Sequence, residues 1–169
     1  VLRQACRQNR LWQLSGLPRV PIAVNLSAIQ FKQKNLVAEV EAVLAETGLE
    51  AEWLEFDLTE SMIMEETADL MRTLDGLRVL GVRLAIDDFG TGYSSLGYLK
   101  PAPFDKIKID QSFVRDATVP ESRNGAIISA IVALAEALGM ETTAEGIESL
   151  DQLELIRSLQ VSHVQGYVY

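Results

Sequence analysis

Residues Arg83 to Asp88 have the sequence RLAIDD and, with the loop that follows, decide the fold. The apolar centre of this stretch is typical of a short buried strand, and two adjacent carboxylates close it. A loop rich in glycine and serine comes next. A strand that ends in charged side chains beside such a loop indicates a functional edge of a sheet, and the same arrangement recurs along the chain.

Five further segments have the composition of strands. They cover residues 21–27, 53–60, 104–110, 140–144 and 161–169. Apolar residues at helical spacing predict helices between them, and Gly48, Gly81 and Gly139 are fitting stops. Strands that alternate with helices imply parallel strands and right-handed crossovers. A doubly wound open sheet and a (β/α)8 barrel both fit this alternation.

Two helix starts are also predicted from local chemistry. Glu65 and Glu66 favour a start because carboxylates there meet the positive end of the helix dipole. Ser149 and Gln152 have the spacing of a capping box, in which each side chain bonds the backbone of the other.

Polar residues at the strand ends decide between the two folds. Each of the six strands delivers at least one near its carboxyl end: Asn25, Glu60, Asp87 with Asp88, Lys108 with Asp110, Glu145 and Gln165. An open sheet concentrates its ligands at one switch point, whereas a barrel collects them from every strand. We therefore predict a TIM-like (β/α)8 barrel. Since such barrels usually need ~250 residues, residues 1–169 are expected to be one domain that is partial at both ends.

Composition narrows the class of protein. The 169 residues carry 24 acidic and 15 basic side chains, a formal net charge of −9, which argues against binding to duplex nucleic acid. No apolar run approaches the ~18–20 residues of a membrane helix. Cys6, the single cysteine, is expected to be a buried or half-buried free thiol in a reducing compartment. We expect a cytoplasmic domain, whether or not its parent protein is tethered to a membrane.

The strand-end residues predict a metal site. Several carboxylates and an amide oxygen facing one another need a compensating cation. All-oxygen ligands select hard ions, so Mg²⁺ or Mn²⁺ is favoured, and His163, the chain's only histidine, cannot supply a histidine-rich site. The adjacent Asp87 and Asp88 suggest two ions that share a carboxylate, a common arrangement for attack on a phosphodiester. Lys108 would orient the attacking water or help to deprotonate it.

Each of these residues also has a structural interpretation. A single carboxylate at a strand end is more often a helix cap or a surface group than a ligand. Asn25 alone can cap a turn, Lys108 alone can be a surface lysine, and His163 is expected to be structural. The triplet from Asp88 to Gly90 is also a magnesium motif of kinases, but no kinase catalytic loop accompanies it. Recurrence over six strands favours the functional interpretation.

The sequence motifs at the strand ends resemble those of a known family. NLS at 25–27, TES at 59–61, DDFGTGYSSL at 87–96, KID at 108–110, AEGIE at 144–148 and QGY at 165–167 follow one another as in EAL domains. EAL domains are bacterial phosphodiesterases of cyclic di-GMP, and the resemblance covers essentially the whole chain. The motif that gives the family its name should lie upstream of Val1, and its glutamate is a metal ligand.

The resemblance implies a role for each motif residue. Asn25, Glu60 and Asp87 would be metal ligands, with Asp88 serving a second ion. Lys108 would act on the water nucleophile, and Glu145 and Gln165 would hold metal-bound water or outer ligands. Asp110 and Glu148 would support this network. The loop residues Phe89, Gly90, Thr91, Gly92, Tyr93, Ser94 and Ser95 would order the second metal and couple it to dimerisation.

The resemblance also implies a reaction and partners. Cyclic di-GMP would be hydrolysed to linear pGpG with Mg²⁺ or Mn²⁺, by a homodimer whose parent protein carries GGDEF, PAS or other sensory domains. Two alternatives stay open. The first is an inactive EAL module that serves as a cyclic di-GMP receptor or as a protein-interaction domain. The second is an unrelated barrel enzyme that acts on a small anionic metabolite.

Overall fold

The computed structural model describes residues 1–33, 35–64, 67–92, 103–119 and 121–168. The chain divides into two compact units, and the boundary between them falls inside a strand. Among the described residues, the first unit holds 1–85 and 103, and the second holds 86–92 and 104–168.

The first unit contains five α-helices, a 3-10 turn, two strands and the start of a third. In chain order these are α1 (Leu2–Leu14), β1 (Ile22–Asn25), α2 (Ala28–Phe31), α3 (Leu36–Thr47), the 3-10 turn (Ala51–Trp53), β2 (Leu54–Thr59), α4 (Glu60–Ile63), α5 (Ala68–Val79) and β3 (Arg83–Phe89). β1 and β2 are parallel, and Asn25 lies opposite Asp57. Leu54, Phe56 and Leu58 are fully buried, so β2 forms the centre of this unit's core.

The second unit contains the end of β3 and the elements that follow. These are β4 (Lys106–Ile109), α6 (Gln111–Arg115), α7 (Asn124–Leu138), β5 (Glu141–Ile147), α8 (Leu150–Ser158) and β6 (His163–Gly166). β5 pairs in parallel with β4 on one side and with β6 on the other. Ile107, Ile109, Ala144 and Ile147 are fully buried on these strands.

The strand order distinguishes the two folds that the alternation allowed. The strands are hydrogen-bonded in the order β1-β2-β3-β4-β5-β6, which is also their order along the chain. Neighbours in a (β/α)8 barrel follow this rule, whereas a doubly wound sheet reverses its order at a switch point. The order is that of the predicted barrel class, with six of its eight strands.

Helix ends follow the local chemistry that predicted them, with one difference. Ser149 and Gln152 form a capping box, and Gly48 and Gly139 end helices in the left-handed conformation with φ of 69° and 71°. α5, however, begins at Ala68, because the hydroxyl of Thr67 accepts a hydrogen bond from the amide of Leu70. Glu65 and Glu66, where we expected this start, lie outside the described residues.

Three short helices were not predicted: α2, α4 and α6. Each begins within three residues of the end of a strand and has four or five residues, which is too short for a hydrophobic period to show. Cys6 is buried as expected, and burial raises the pKa of its thiol. Within the described ranges, no helix is long and apolar enough to cross a bilayer.

Candidate active site

Three carboxylates meet at the carboxyl ends of two strands in the second unit. Asp87 and Asp88 lie near the end of β3, and Glu145 lies in the second half of β5. Each offers a ligand oxygen, and these oxygens all lie within 4.8 Å of one another. Such an arrangement of like charges favours a cation.

Lys108 lies between these carboxylates. It extends from β4, and its Nζ is 3.1 Å from Oδ1 of Asp87 and 2.6 Å from Oε1 of Glu145. Only 9% of the lysine side chain is exposed. A buried ammonium with two charge-assisted hydrogen bonds offsets part of the negative charge of the cluster.

Asp88 has an uncommon backbone conformation. Its φ is 54°, in the left-handed region that a non-glycine residue seldom occupies. Its carbonyl oxygen accepts a hydrogen bond from Oγ1 of Thr91 at 2.8 Å, and its amide donates to Oδ1 of Asp87 at 3.1 Å. Strain of this kind often marks a functional residue, because the surrounding structure must hold it in place.

The electrostatic surroundings of Asp88 disfavour its charged form. Burial raises the pKa of its carboxyl above the ordinary value, and the charges of Asp87 and Asp110 raise it further. The ammonium of Lys108 lowers this pKa, but by less. A bound divalent cation would reverse the sign of this field.

The glycine-rich loop begins directly after these residues. Gly90 has a φ of 93°, a conformation that glycine adopts without strain. Phe89 is buried, and Thr91 closes the turn onto Asp88. The described part of the loop ends at Gly92, so Tyr93, Ser94 and Ser95 lie outside the described residues.

The supporting residues of the second unit have different positions. Asp110 lies at the start of α6, and its Oδ1 accepts a hydrogen bond from the amide of Ser112 at 2.9 Å. Glu148 is exposed just before α8, and its amide donates to Oε1 of Gln152 at 2.8 Å. Gln165 and Glu145 line one cavity of about 340 Å³. Gln165 therefore lies beside one member of the cluster, Glu145, whereas Glu148 belongs to a helix start.

Asn25 and Glu60 lie in the first unit. Asn25 is the last residue of β1 and is exposed. Glu60 follows β2 directly, opens α4 and has an exposed fraction of 2%. Both hold the strand-end positions from which the sequence predicts ligands.

His163 is the first residue of β6, and its Nε2 lies 3.6 Å from Oε2 of Glu141. This contact links the opening residues of β5 and β6, and the structural role of the histidine stays a prediction.

Sequence reasoning gave no role to three residues beside the cluster. Gln111 and Tyr167 line the cavity that Gln165 shares with Glu145, and Phe113 packs against the backbone at Gly90. A sequence signal that could have identified Tyr167 was present, since this residue lies in the QGY motif. Gln111 follows the KID motif directly, but a neutral residue after a motif is a weak signal.

A larger cavity of about 780 Å³ lies among the helices of the first unit. Its walls include Phe31, Val37, Met62 and Leu70, together with Lys32 and Arg72. These side chains offer apolar contact and positive charge, and the carboxylate of Asp69, which also lines the cavity, is ion-paired with Arg72. The cluster of Asp87, Asp88 and Glu145 does not line this cavity, so size alone does not identify the candidate site.

The donor set fits a hard divalent cation. Every ligand that the described cluster offers is a carboxylate oxygen, which is the donor type of Mg²⁺, Mn²⁺ and Ca²⁺. Burial first, and then the neighbouring carboxylates of Asp87 and Asp110, raise the pKa of Asp88, so a cation at this point would favour its charged form.

The fold and these residues define a barrel-class domain with an oxygen-only candidate metal site at its strand ends. The chain belongs to the EAL domain family, whose profile matches residues 1–169. This confirms the resemblance inferred from the motifs.

Known relatives are longer proteins. The chain is 44% identical over 170 residues to the cyclic di-GMP phosphodiesterase NbdA of Pseudomonas aeruginosa, and the match covers 100% of this chain and 22% of NbdA. The chain thus spans about a fifth of the length of this relative.

Solved structures confirm the fold. The Pseudomonas aeruginosa phosphodiesterase PaMucR, in complex with c-di-GMP, superposes with a TM-score of 0.92 at 43% identity, over 98% of this chain and 66% of that one. Klebsiella pneumoniae BlrP1, in a manganese and cyclic di-GMP complex, gives 0.85 at 30% identity, over 98% of this chain and 42% of that one. A calcium complex of BlrP1 matches equally well. The predicted incomplete TIM-like barrel is therefore confirmed.

Proposed function

We propose that the domain containing this chain is a metal-dependent phosphodiesterase that hydrolyses cyclic di-GMP to linear pGpG in bacterial signalling. The observation that carries this proposal is the cluster of Asp87, Asp88 and Glu145 around Lys108. The family and the names of NbdA and PaMucR support the substrate, and the metal complexes of BlrP1 support the cofactor.

Two Mg²⁺ or Mn²⁺ ions are the proposed cofactors, held by Asn25, Glu60, Asp87 and Asp88. When bound, such ions neutralise phosphate charge and acidify water. Asp87 and Asp88 are adjacent in sequence, and an amide-to-carboxylate hydrogen bond joins them at 3.1 Å. Their ligand oxygens lie within 4.8 Å of each other, so both carboxylates could hold a cation at this point.

The proposed catalytic residues are Lys108, Glu145 and Asp88. In its ion pairs with Glu145 and Asp87, Lys108 is a hydrogen-bond donor. This favours a role in which its ammonium orients the attacking water and stabilises charge on the phosphoryl oxygens over a role as proton acceptor. Glu145 accepts from Lys108 and is placed to hold water, with Gln165 beside it in the same cavity.

Asp110 and Glu148 are proposed to support the site. The charge of Asp110 contributes to the raised pKa of Asp88, and its Oδ1 caps the start of α6. Glu148 is exposed at the start of α8, where contact with substrate is the role that its position favours. We also propose that residues 1–169 form one domain of a larger signalling protein that carries further sensory or cyclase domains.

A homodimer is proposed through α7. Ala126, Ile127, Ala130 and Ala133 are exposed on this helix, and 39% of Ile127 is accessible. An exposed apolar helix face of this kind is suited to packing against a second copy. The inner face of α7 is close to the loop, since Ile131 lies 3.9 Å from the position of a Cβ on Gly90. This proximity supports a link between the loop and dimerisation.

The test is hydrolysis of cyclic di-GMP by the full-length protein, with Mg²⁺, Mn²⁺ or EDTA, followed by chromatography of pGpG. We expect turnover with either metal and none with EDTA. Glu60→Ala should abolish turnover, whereas Glu52→Ala, which removes an exposed carboxylate of the same unit, should not. Undiminished turnover in Glu60→Ala would contradict the ligand assignment. Tight binding without turnover under all metals would favour the receptor alternative.

A further inference from the structure

The short helix α6 packs against two glycines that lie beside the candidate ligands. A Cβ on Gly146 would lie 2.6 Å from Cβ of Gln111. A Cβ on Gly90 would lie 2.9 Å from Cε2 and 3.0 Å from Cζ of the Phe113 ring. Real Cβ atoms do not approach other atoms this closely. The side chains of Gln111 and Phe113 on α6 therefore pack directly against the backbone at Gly146 and Gly90, where only glycine leaves room for them.

These two glycines follow the ligands closely in sequence. Gly146 comes directly after Glu145, and Gly90 comes two residues after Asp88. α6 therefore touches both ligand-bearing segments of the second unit, although it carries no carboxylate itself. A rigid α6 would fix the spacing between the end of β3 and the end of β5.

Several contacts hold α6 in place. Oδ1 of Asp110 accepts from the amide of Ser112 at 2.9 Å, and the Asp110 carbonyl accepts from the amide of Phe113 at 3.1 Å. From α7, Nδ2 of Asn124 donates to the carbonyl of Ser112 at 3.3 Å. Val114 is fully buried on the same helix. The ring of Phe113 is thus presented to Gly90 from a fixed support.

Asp88 needs such support. Its φ of 54° lies in the left-handed region, which aspartate occupies more readily than most residues but less readily than glycine, so the contacts around it help to hold this conformation. The hydrogen bonds from Thr91 fix one side of this turn. On the other side, the phenyl ring packs against Gly90, which has no side chain and a φ of 93°.

We propose that Phe113 is a positioning residue for Asp88. Its ring holds Gly90 in place, and this contact keeps the Asp88 carboxylate within the cluster of Asp87 and Glu145. The proposal rests on the proposed role of Asp88 as a metal ligand and does not depend on which phosphodiester is the substrate. Outer residues that orient a ligand typically change metal affinity ~10- to 100-fold when removed.

The test is Mn²⁺ binding to the full-length protein, measured by electron paramagnetic resonance of the free ion. We expect Phe113→Ala to weaken the ion held by Asp88 by ~10-fold or more. Phe113→Leu, which retains an apolar side chain against Gly90, should recover most of this affinity. Val114→Ala is the matched control, because it truncates a buried side chain of the same helix that is not among the three atoms nearest to a Cβ on Gly90.

A second measurement needs neither metal nor substrate. Hydrogen exchange at the amide of Thr91 reports the hydrogen bond to the Asp88 carbonyl, and it should accelerate in Phe113→Ala but not in Val114→Ala. Equal Mn²⁺ affinity and equal exchange in the two variants would overturn the proposal. If the wild type binds Mn²⁺ and shows these differences but leaves cyclic di-GMP intact, the proposed function fails and the role of Phe113 stands.

Discussion

Nζ of Lys108 lies 2.6 Å from Oε1 of Glu145, and this ion pair joins the neighbouring strands β4 and β5 at the candidate site. The same ammonium lies 3.1 Å from Asp87. In the metal-free protein, Lys108 is therefore the cation that offsets the clustered carboxylates. A bound metal ion would also offset the charge of these carboxylates. The free energy of unfolding and the affinity for metal should therefore both depend on Lys108.

Lys108→Met should damage both activity and stability. We expect turnover to fall by ~10²-fold or more, since water is no longer oriented. The free energy of unfolding without metal should fall by about 1–3 kcal/mol, less than for a fully buried pair, because the carboxylates are partly hydrated. Steady-state kinetics and urea unfolding measure the two effects.

The control for this prediction is the double variant Lys108→Met with Glu145→Gln. Removing the carboxylate as well should recover part of the lost stability but none of the activity. Wild-type turnover in Lys108→Met would show that the lysine has no part in the reaction.

Asp88→Asn should lower the affinity for metal without lowering the stability of the metal-free protein. Asparagine tolerates the left-handed backbone of this position, so the fold is kept. Because burial and two neighbouring carboxylates oppose the charge of Asp88, its removal should leave the metal-free protein at least as stable as the wild type near neutral pH. Affinity for the second Mn²⁺ should fall ~10-fold or more. Thermal unfolding with EDTA and with Mn²⁺ tests both statements, and a marked loss of metal-free stability would contradict the electrostatic argument.

The raised pKa of Asp88 also predicts a pH dependence. Between the ordinary aspartate pKa and the raised one, the folded state binds more protons than the unfolded state. Stability of the metal-free protein attributable to Asp88 should thus decrease as pH rises through this window and stay constant above it. Urea unfolding in EDTA at a series of pH values measures the slope. Asp88→Asn should lack this contribution, and an identical slope in both proteins would refute it.

The sequence was sufficient for the strands and for the strand-end positions of Asp87, Lys108 and Glu145, whose roles stay predictions. Short apolar runs that end in polar residues predicted all six strands, and Lys108 with its two carboxylate partners lies where the motifs indicated. What could not be predicted from the sequence depends on tertiary contacts. The left-handed backbone of Asp88 and the packing of Phe113 on Gly90 depend on tertiary contacts that no local pattern encodes.

Substitution on the exposed face of α7 should dissociate the proposed homodimer. Ala130→Asp introduces a charge into an apolar surface. In the proposed dimer this carboxylate would be buried without a partner of opposite charge. Sedimentation should show a monomer, and turnover should fall if the loop depends on dimerisation. Ala42→Asp, at an exposed alanine of α3, is the matched control and should change neither. An unchanged dimer in Ala130→Asp would place the interface elsewhere.

Two glycines with the same backbone conformation should differ in their tolerance of alanine. Gly139 and Gly146 both have a φ of 71°, so a side chain at either costs about 1–2 kcal/mol in backbone strain. A Cβ on Gly139 meets nothing within 4 Å, whereas on Gly146 it would overlap Gln111. Gly146→Ala should therefore lose about 1–3 kcal/mol more than Gly139→Ala in urea unfolding, because α6 must shift. Since that shift moves the backbone beside Glu145, Gly146→Ala should also lose activity that Gly139→Ala keeps. Equal stability of the two variants would mean that α6 yields without resistance.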